Sequence, residues 1–241
     1  MPYYLLPKHV FVCVNEGHVV FLDLKADEYT ALERAATTHF NTLIHGWSES
    51  SEAGQDGKAS VEPYPDELLK SMVDNGLLTT DASTGKDAAP LVADPPLSSV
   101  SDDFVLGRRP NVRSSHLVNF LTASAAAAWK LRRHSIERIV RDVQRRKKLR
   151  EKHLAEFDFE AASELAAIFA TLRPLLFTAR DACLFDSLAL VELLARHRLY
   201  ATWTFGVRTT PFVAHCWVQQ AGLVLNDHHE HVRMYTPIMA V

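Results

Sequence analysis

Three side chains in the last quarter of the chain have the types and the order needed for nucleophilic catalysis: Cys183, His215 and Asp227. A free thiol with an ordinary pKa near 8.5 is only about 3% ionised at pH 7, so a catalytic cysteine needs help to become a thiolate. Cys183 falls in the first turn of a helix expected over 181–197, where unpaired N–H groups and the positive end of the helix dipole favour the anion. His215 falls in a strand after the Pro211 turn, in position to present its ring to that helix start. Asp227 follows the next strand, within reach of the second imidazole nitrogen. The order is Cys, His, Asp, on a helix start followed by an antiparallel hairpin.

Other residues compete for the same roles. Cys216 adjoins His215, but successive side chains on a strand face opposite sides, so Cys216 is expected to face away from the site as a packing residue. Cys13, between Val12 and Val14, has the same reading. His228, His229 and His231, beside Asp227, share no spacing with a recurrent zinc site, and they are expected on an exposed loop with no metal. Arg208 has two readings, binding a substrate carboxylate or bracing the loop before Pro211. Trp217 also has two, lining a pocket or filling the core.

The elements that must hold these residues can be read from periodicity. Leu184, Leu188, Val191 and Leu194 form one face of an amphipathic 181–197 helix. Strands are expected over 200–207, 214–220 and 223–226, with a hairpin turn at 220–222. Upstream, 114–133, 134–153 and 159–173 are helical by composition. The second is heavily basic, without the interleaved aromatics or motif of a nucleic-acid binder, so a solvated face is expected, with a partner-docking surface as the alternative. Near the N-terminus, 9–15 and 18–24 are β-branched and apolar around Asn15-Glu16-Gly17, and a third strand is expected at 28–32. A helix over 31–45 on Leu32, Ala35, Ala36, Phe40 and Leu43, a flexible loop over 48–60, a helix from Pro65 to Asn75 and a strand at 77–80 complete a winged-helix-like module. The Pro-, Ser- and Asp-rich stretch 83–103 reads as a linker.

The charge is segregated. Residues 1–100 carry 6 Lys and Arg against 15 Asp and Glu, residues 101–180 carry 16 against 9, and the remainder is nearly neutral, so the overall −3 conceals distinct segments. Three cysteines without a C-x-x-C pair exclude a disulfide scaffold and argue against a cysteine-rich zinc site. No stretch approaches the length of a membrane span; the Ala-rich 117–129 segment is too short. The N-terminal residues lack the pattern of a signal peptide, and a cytoplasmic location is expected.

The order of the three residues on a helix and hairpin resembles the papain-like and transglutaminase-like arrangement. More specifically, Asp181–Asp227 resembles the C-terminal domain of lasso-peptide maturation proteases, the transglutaminase-like B proteins. The shared pattern comprises Cys183, Ser187–Leu190, Gly206-Val207-Arg208, Pro211-Phe212, His215, Trp217-Val218, Gly222 and Asn226-Asp227. Arg198-Leu199-Tyr200 departs from it, standing where many relatives have a glycine after the helix. The resemblance implies an α+β chain with a leader-recognition (RiPP recognition element) domain over 1–82, the linker, and a cysteine protease over 104–241. It implies Cys183 as nucleophile, His215 as general base and then acid, Asp227 as orienting carboxylate, and the Cys183 N–H as an oxyanion donor. The substrate would be a ribosomally made lasso-peptide precursor, its leader added as a strand to the three-stranded sheet beside the 65–75 helix. Tyr29, Leu32, Leu69 and Met72 are the expected leader contacts, with ordinary core packing as their alternative reading. The partner would be an asparagine-synthetase-like, ATP-dependent cyclase. The protease itself needs no cofactor, since the chain has no phosphate-binding glycine loop and any ATP requirement would sit with the cyclase. An acyltransferase with the same thioester chemistry and a non-catalytic peptide-binding chaperone are the rival readings.

Overall fold

The computed structural model describes residues 4–33, 40–47, 66–89, 91–101, 110–151, 157–176 and 182–241. The expected loop at 48–60, the helix opener Pro65, and Ala35 and Ala36 lie outside these residues. The chain forms two compact units, Met1–Val92 and Ala93–Val241.

In the first unit, β2 (Val10–Asn15), β3 (His18–Asp23) and β4 (Glu28–Glu33) make an antiparallel sheet with β3 in the centre. Glu16 and Gly17 both have positive φ, the signature of a two-residue hairpin turn whose twist matches the strands. Alternation sends Val10, Val12, Val19 and Phe21 into a core with Phe40, Ile44, Leu69, Met72 and Leu78. That core is closed by α1 (Phe40–Leu43) and α2 (Asp66–Asp74). Two expectations change here. Ala31 to Glu33 continue β4 instead of opening a helix, because pairing of Val19 with Leu32 and of His18 with Glu33 outweighs the local helical pattern. Residues 77–80 form only an isolated bridge, Leu5 with Thr79.

The stretch read as a linker is also partly built into structure. β5 (Gly85–Lys86) pairs with β1 (Leu6–Pro7), and β6 (Ser98–Ser99) pairs in parallel with β9 (Leu223–Val224). The polar residues that suggested a loop satisfy each other: Asp81 accepts hydrogen bonds from the Ser83 N–H and hydroxyl and from the Thr84 hydroxyl, which folds the turn into β5.

In the second unit, α3 (Ser114–Arg133), α4 (Ile136–Glu151) and α5 (Phe159–Leu172) precede α6 (Cys183–Arg196). The sheet runs β10-β7-β8-β9-β6, with β7 (Thr202–Thr209), β8 (Phe212–Gln220) and β10 (Thr236–Ala240) as its main strands. β10 was not foreseen; Pro237 in its sequence argues against a strand, and it sits at the sheet edge where proline is tolerated. α6 is not an amphipathic surface helix. Every residue from Asp186 to Leu194 is buried, because α3, α5 and β8 all pack on it. Arg198 follows α6 with φ +60, the left-handed conformation that a glycine adopts without strain.

The basic α4 is not merely a solvated face. Arg146 from α4 and Lys130 from α3 both pair with the buried Glu192 of α6, at 2.6 and 2.9 Å, and Lys130 also pairs with Asp142 at 2.8 Å. These ions tie three helices together, and none of the helices among the described residues is long and apolar enough to cross a membrane.

Candidate active site

Cys183 is the first residue of α6, so its side chain sits where the helix N–H groups are unpaired. β8 carries His215, and the segment after β9 carries Asp227. His215 Nε2 lies 2.7 Å from Asp227 Oδ2, which leaves Nδ1 for Cys183. The Cys183 thiol takes hydrogen bonds from the Cys216 thiol and from the His215 ring. Thus the structure brings all three residues together.

The electrostatics follow from these contacts. The Cys216 hydrogen bond is the largest influence on Cys183; burial opposes it, and the bond and positive charge of His215 reinforce it, holding the thiol at about 4. Burial pulls His215 down, but the Asp227 and Cys183 hydrogen bonds and charges outweigh it and lift the ring to about 9. Asp227 is pushed up by burial and down by hydrogen bonds from His215, the His228 N–H and His231, and it settles at about 2. Between about 4 and 9 the pair is therefore a thiolate beside an imidazolium.

The Cys216 expectation needs correction. Cys216 does lie on the strand face opposite His215, but that face is covered by α6, so its sulfur still meets Cys183. It is 3% exposed, and its hydrogen bond to Cys183, together with burial, raises its pKa well above the ordinary value. Cys216 therefore stays a thiol where Cys183 is ionised. Cys13 is buried, and burial pushes it to about 12.

A buried polar frame locks α6 to the hairpin. The Ser187 hydroxyl donates to the Cys183 carbonyl at 2.7 Å and accepts from Trp203 Nε1 at 2.8 Å. Asn226 donates to Asp186 at 2.7 Å, accepts from the Val218 N–H at 2.8 Å, and its carbonyl accepts from Arg173 at 3.0 Å. Asp186 pairs with Arg173 at 3.4 Å. The residue before Asp227 is thus pinned to the helix that carries Cys183. Sequence reasoning missed Asp186 and Arg173; the available signal was a charged residue inside an apolar helix, one turn after the cysteine.

Trp217 is 1% exposed, donates to Gln219 at 2.6 Å and stacks beneath His215 at 6.0 Å between ring centres, so it belongs to the core. Gly206 makes room for it: a Cβ there would lie 2.9 Å from the Trp217 ring and 3.0 Å from Tyr235. Arg208 lies on the His215 face of the sheet with its cation 5.9 Å from the Tyr235 ring, and its buried Nε has no hydrogen-bond partner among the described residues. Leu69 and Met72 are buried in the first unit's core, which favours their alternative reading as core packing over leader contact. Tyr29 and Leu32 are half-buried on β4 but face opposite sides of the sheet.

Of the histidines after Asp227, His228 is exposed on the loop as expected, whereas His229 and His231 belong to a short helix, α7 (His229–Val232). His228 meets the Ser101 hydroxyl at 2.9 Å, His229 meets Ser99 at 3.2 Å, and only His231 turns to Asp227. His215, Asp227 and His231 place one ligand atom each within 4.8 Å of one another. Their 2.7 and 3.0 Å contacts are hydrogen-bond separations. A tetrahedral zinc with bonds of about 2.0–2.1 Å holds its ligand atoms roughly 3.3 Å apart, so the cluster as arranged shares protons. A cleft of about 540 Å³, lined by His116, Lys147, His197 and Tyr200 among others, lies at the far end of α6 and includes none of the three residues.

A search of curated proteins and of solved structures finds no match. A family model described as the transglutaminase-like superfamily matches residues 118–240, which span α3 to β10 and include Cys183, His215 and Asp227. With just over half of its length matched, and with a helix-borne cysteine facing a strand-borne histidine, the chain belongs to the transglutaminase-like superfamily.

Proposed function

We propose that the chain is a cysteine peptidase that cleaves the leader from a ribosomally made lasso-peptide precursor. The observation that carries the chemistry is the orientation of His215: Nε2 is fixed on Asp227, so Nδ1 is left to Cys183. The Cys183 thiolate attacks the scissile carbonyl, and the Cys183 N–H at the start of α6 stabilises the oxyanion. His215 Nδ1–H then protonates the leaving amine, so the core leaves with a free N-terminus and the leader stays as a thioester. Neutral His215 next takes a proton from water, whose oxygen displaces the sulfur and regenerates the thiolate–imidazolium pair. Asp227 orients the ring throughout.

The lasso assignment is supported by the pattern from Asp181 to Asp227 and by the first unit. There, the outer edge of β4 pairs with no strand among the described residues, which suits addition of a leader strand through main-chain hydrogen bonds. The freed core amine suits a partner cyclase that forms a macrolactam. Arg208, on the His215 face, would hold a carboxylate of the substrate. The excess of acidic residues in the first unit suits a basic leader, whose affinity would fall as salt rises.

The test is precursor cleavage by wild type and Cys183→Ala, with leader binding measured in parallel. Cleavage lost with binding retained supports the reading; cleavage retained by Cys183→Ala overturns it. Mass spectrometry of the product separates hydrolysis from transfer to an amine.

A further inference from the structure

We infer that His231 is a positioning residue that fixes Asp227 in the orientation His215 requires; this rests on the assignment of Cys183, His215 and Asp227 as the reacting group. Asp227 accepts three hydrogen bonds. Oδ1 takes the His228 N–H at 2.7 Å, while Oδ2 is shared by His215 Nε2 at 2.7 Å and His231 Nδ1 at 3.0 Å. Two rings on one carboxylate oxygen set its rotation more tightly than one ring does, because each approaches from its own direction. The ring centres of His215 and His231 are 5.0 Å apart and the planes are inclined at 61°, so the rings meet edge to face and do not compete for space.

The tautomer of His231 follows from its partners. Nδ1 faces a carboxylate and must carry the proton, and Nε2 then accepts from the Tyr235 hydroxyl at 3.4 Å. Tyr235 lies between α7 and β10 and also packs on His215, at 5.0 Å between ring centres. The groups facing His231 are therefore Asp227, His215 and Tyr235, with Arg208 of β7 beyond the tyrosine ring. α7 supplies the geometry: His231 lies four residues after Asp227, so the short helix folds its ring back onto the carboxylate. The H-H-x-H run, which has no zinc spacing, here acquires a role for its last member.

The experiment uses full-length wild type, His231→Ala, His231→Asn and His231→Gln. The Asn amide nitrogen overlays Nδ1, whereas that of Gln overlays Nε2. Two quantities are read: kcat and KM for precursor cleavage, and the pH dependence of Cys183 alkylation by iodoacetamide, which needs no peptide substrate. Wild type should show a second rise in alkylation near pH 9, where His215 loses its proton. His231→Ala and His231→Gln should lower kcat about ten-fold with KM little changed, as expected for a loosened reacting group, and move that rise toward the ordinary histidine range. His231→Asn should restore both. A folded His231→Ala with wild-type kcat and an unmoved rise overturns the inference, as does a folded His231→Asn that behaves like the Gln variant. If wild type shows no Cys183 thiolate near neutral pH, it is the assignment of the reacting group that fails, a result distinct from either of these.

Discussion

The two units use their interiors differently. In Met1–Val92, the only buried polar or charged residue among those described is Asp23, whereas Ala93–Val241 buries Ser99, Ser124, Asp186, Ser187, Glu192, Thr204 and Gln219. Asp23 serves a turn, accepting from the N–H groups of Lys25 and Ala26. Asp186, Ser187 and Gln219 instead brace the helix and hairpin that carry Cys183, His215 and Asp227. A buried polar group is costly unless fully paired, so its presence marks a place where position matters more than burial. The first unit is an apolar scaffold that presents backbone at a sheet edge; the second is a polar frame around a thiolate.

Breaking the frame at the Cys183–His215 pair should give the largest effect. His215→Ala removes the imidazolium beside Cys183, so the thiol should move from about 4 toward its ordinary range, and cleavage at neutral pH should be lost. Iodoacetamide titration and precursor cleavage read the two outcomes. Next in size is Glu192→Ala, which leaves Lys130 and Arg146 without their shared buried partner. Loss of such a partner costs about 3–5 kcal/mol, measurable by urea unfolding of the second unit.

Met72→Ala should cost the first unit about 2–5 kcal/mol through a cavity, yet leave the alkylation profile of Cys183 unchanged. A shifted profile would show that the two interiors are coupled. Gly206→Ala forces a Cβ against Trp217 and Tyr235, beneath His215. It should cost about 1–3 kcal/mol and reduce kcat, read by thermal unfolding and cleavage kinetics. The smallest change is Arg198→Gly, which relieves a left-handed backbone costing about 1–2 kcal/mol, offset by the extra chain entropy a glycine loses, about 0.5–1 kcal/mol, and should leave catalysis unaltered.

The same contrast explains how much could be read in the sequence. Composition located α3 and α5 almost to the residue, since local composition decides a helix end when tertiary contacts agree with it. Cys183, His215 and Asp227 were legible because the contiguous pattern from Asp181 to Asp227 holds all three; cysteine is scarce, at 3 residues, but histidine, at 12, is not. Leu69 and Met72 kept two readings because an apolar stripe looks alike whether it faces a core or a peptide, and their burial favours the core. β4 ran past the expected helix start because strand pairing is a long-range decision. The Asp186–Asn226 contact joins residues 40 positions apart, and no local pattern announces it. His231 was visible only as one histidine among three; its contact with Asp227 appears once α7 folds it back.

The measurement that bears most directly on the account is the pH dependence of Cys183 alkylation in the wild-type chain. Cys13 and Cys216 are buried thiols with raised pKa values, so the reagent reports on Cys183 over the useful range. The account predicts a first rise near pH 4, as the thiolate forms, and a second near pH 9, as the neighbouring imidazolium is lost. Cleavage should be supported between these limits, falling on the acid side as sulfur is protonated and on the alkaline side as His215 loses the proton it donates to the leaving amine. A single rise at the ordinary thiol pKa would contradict the thiolate–imidazolium pair.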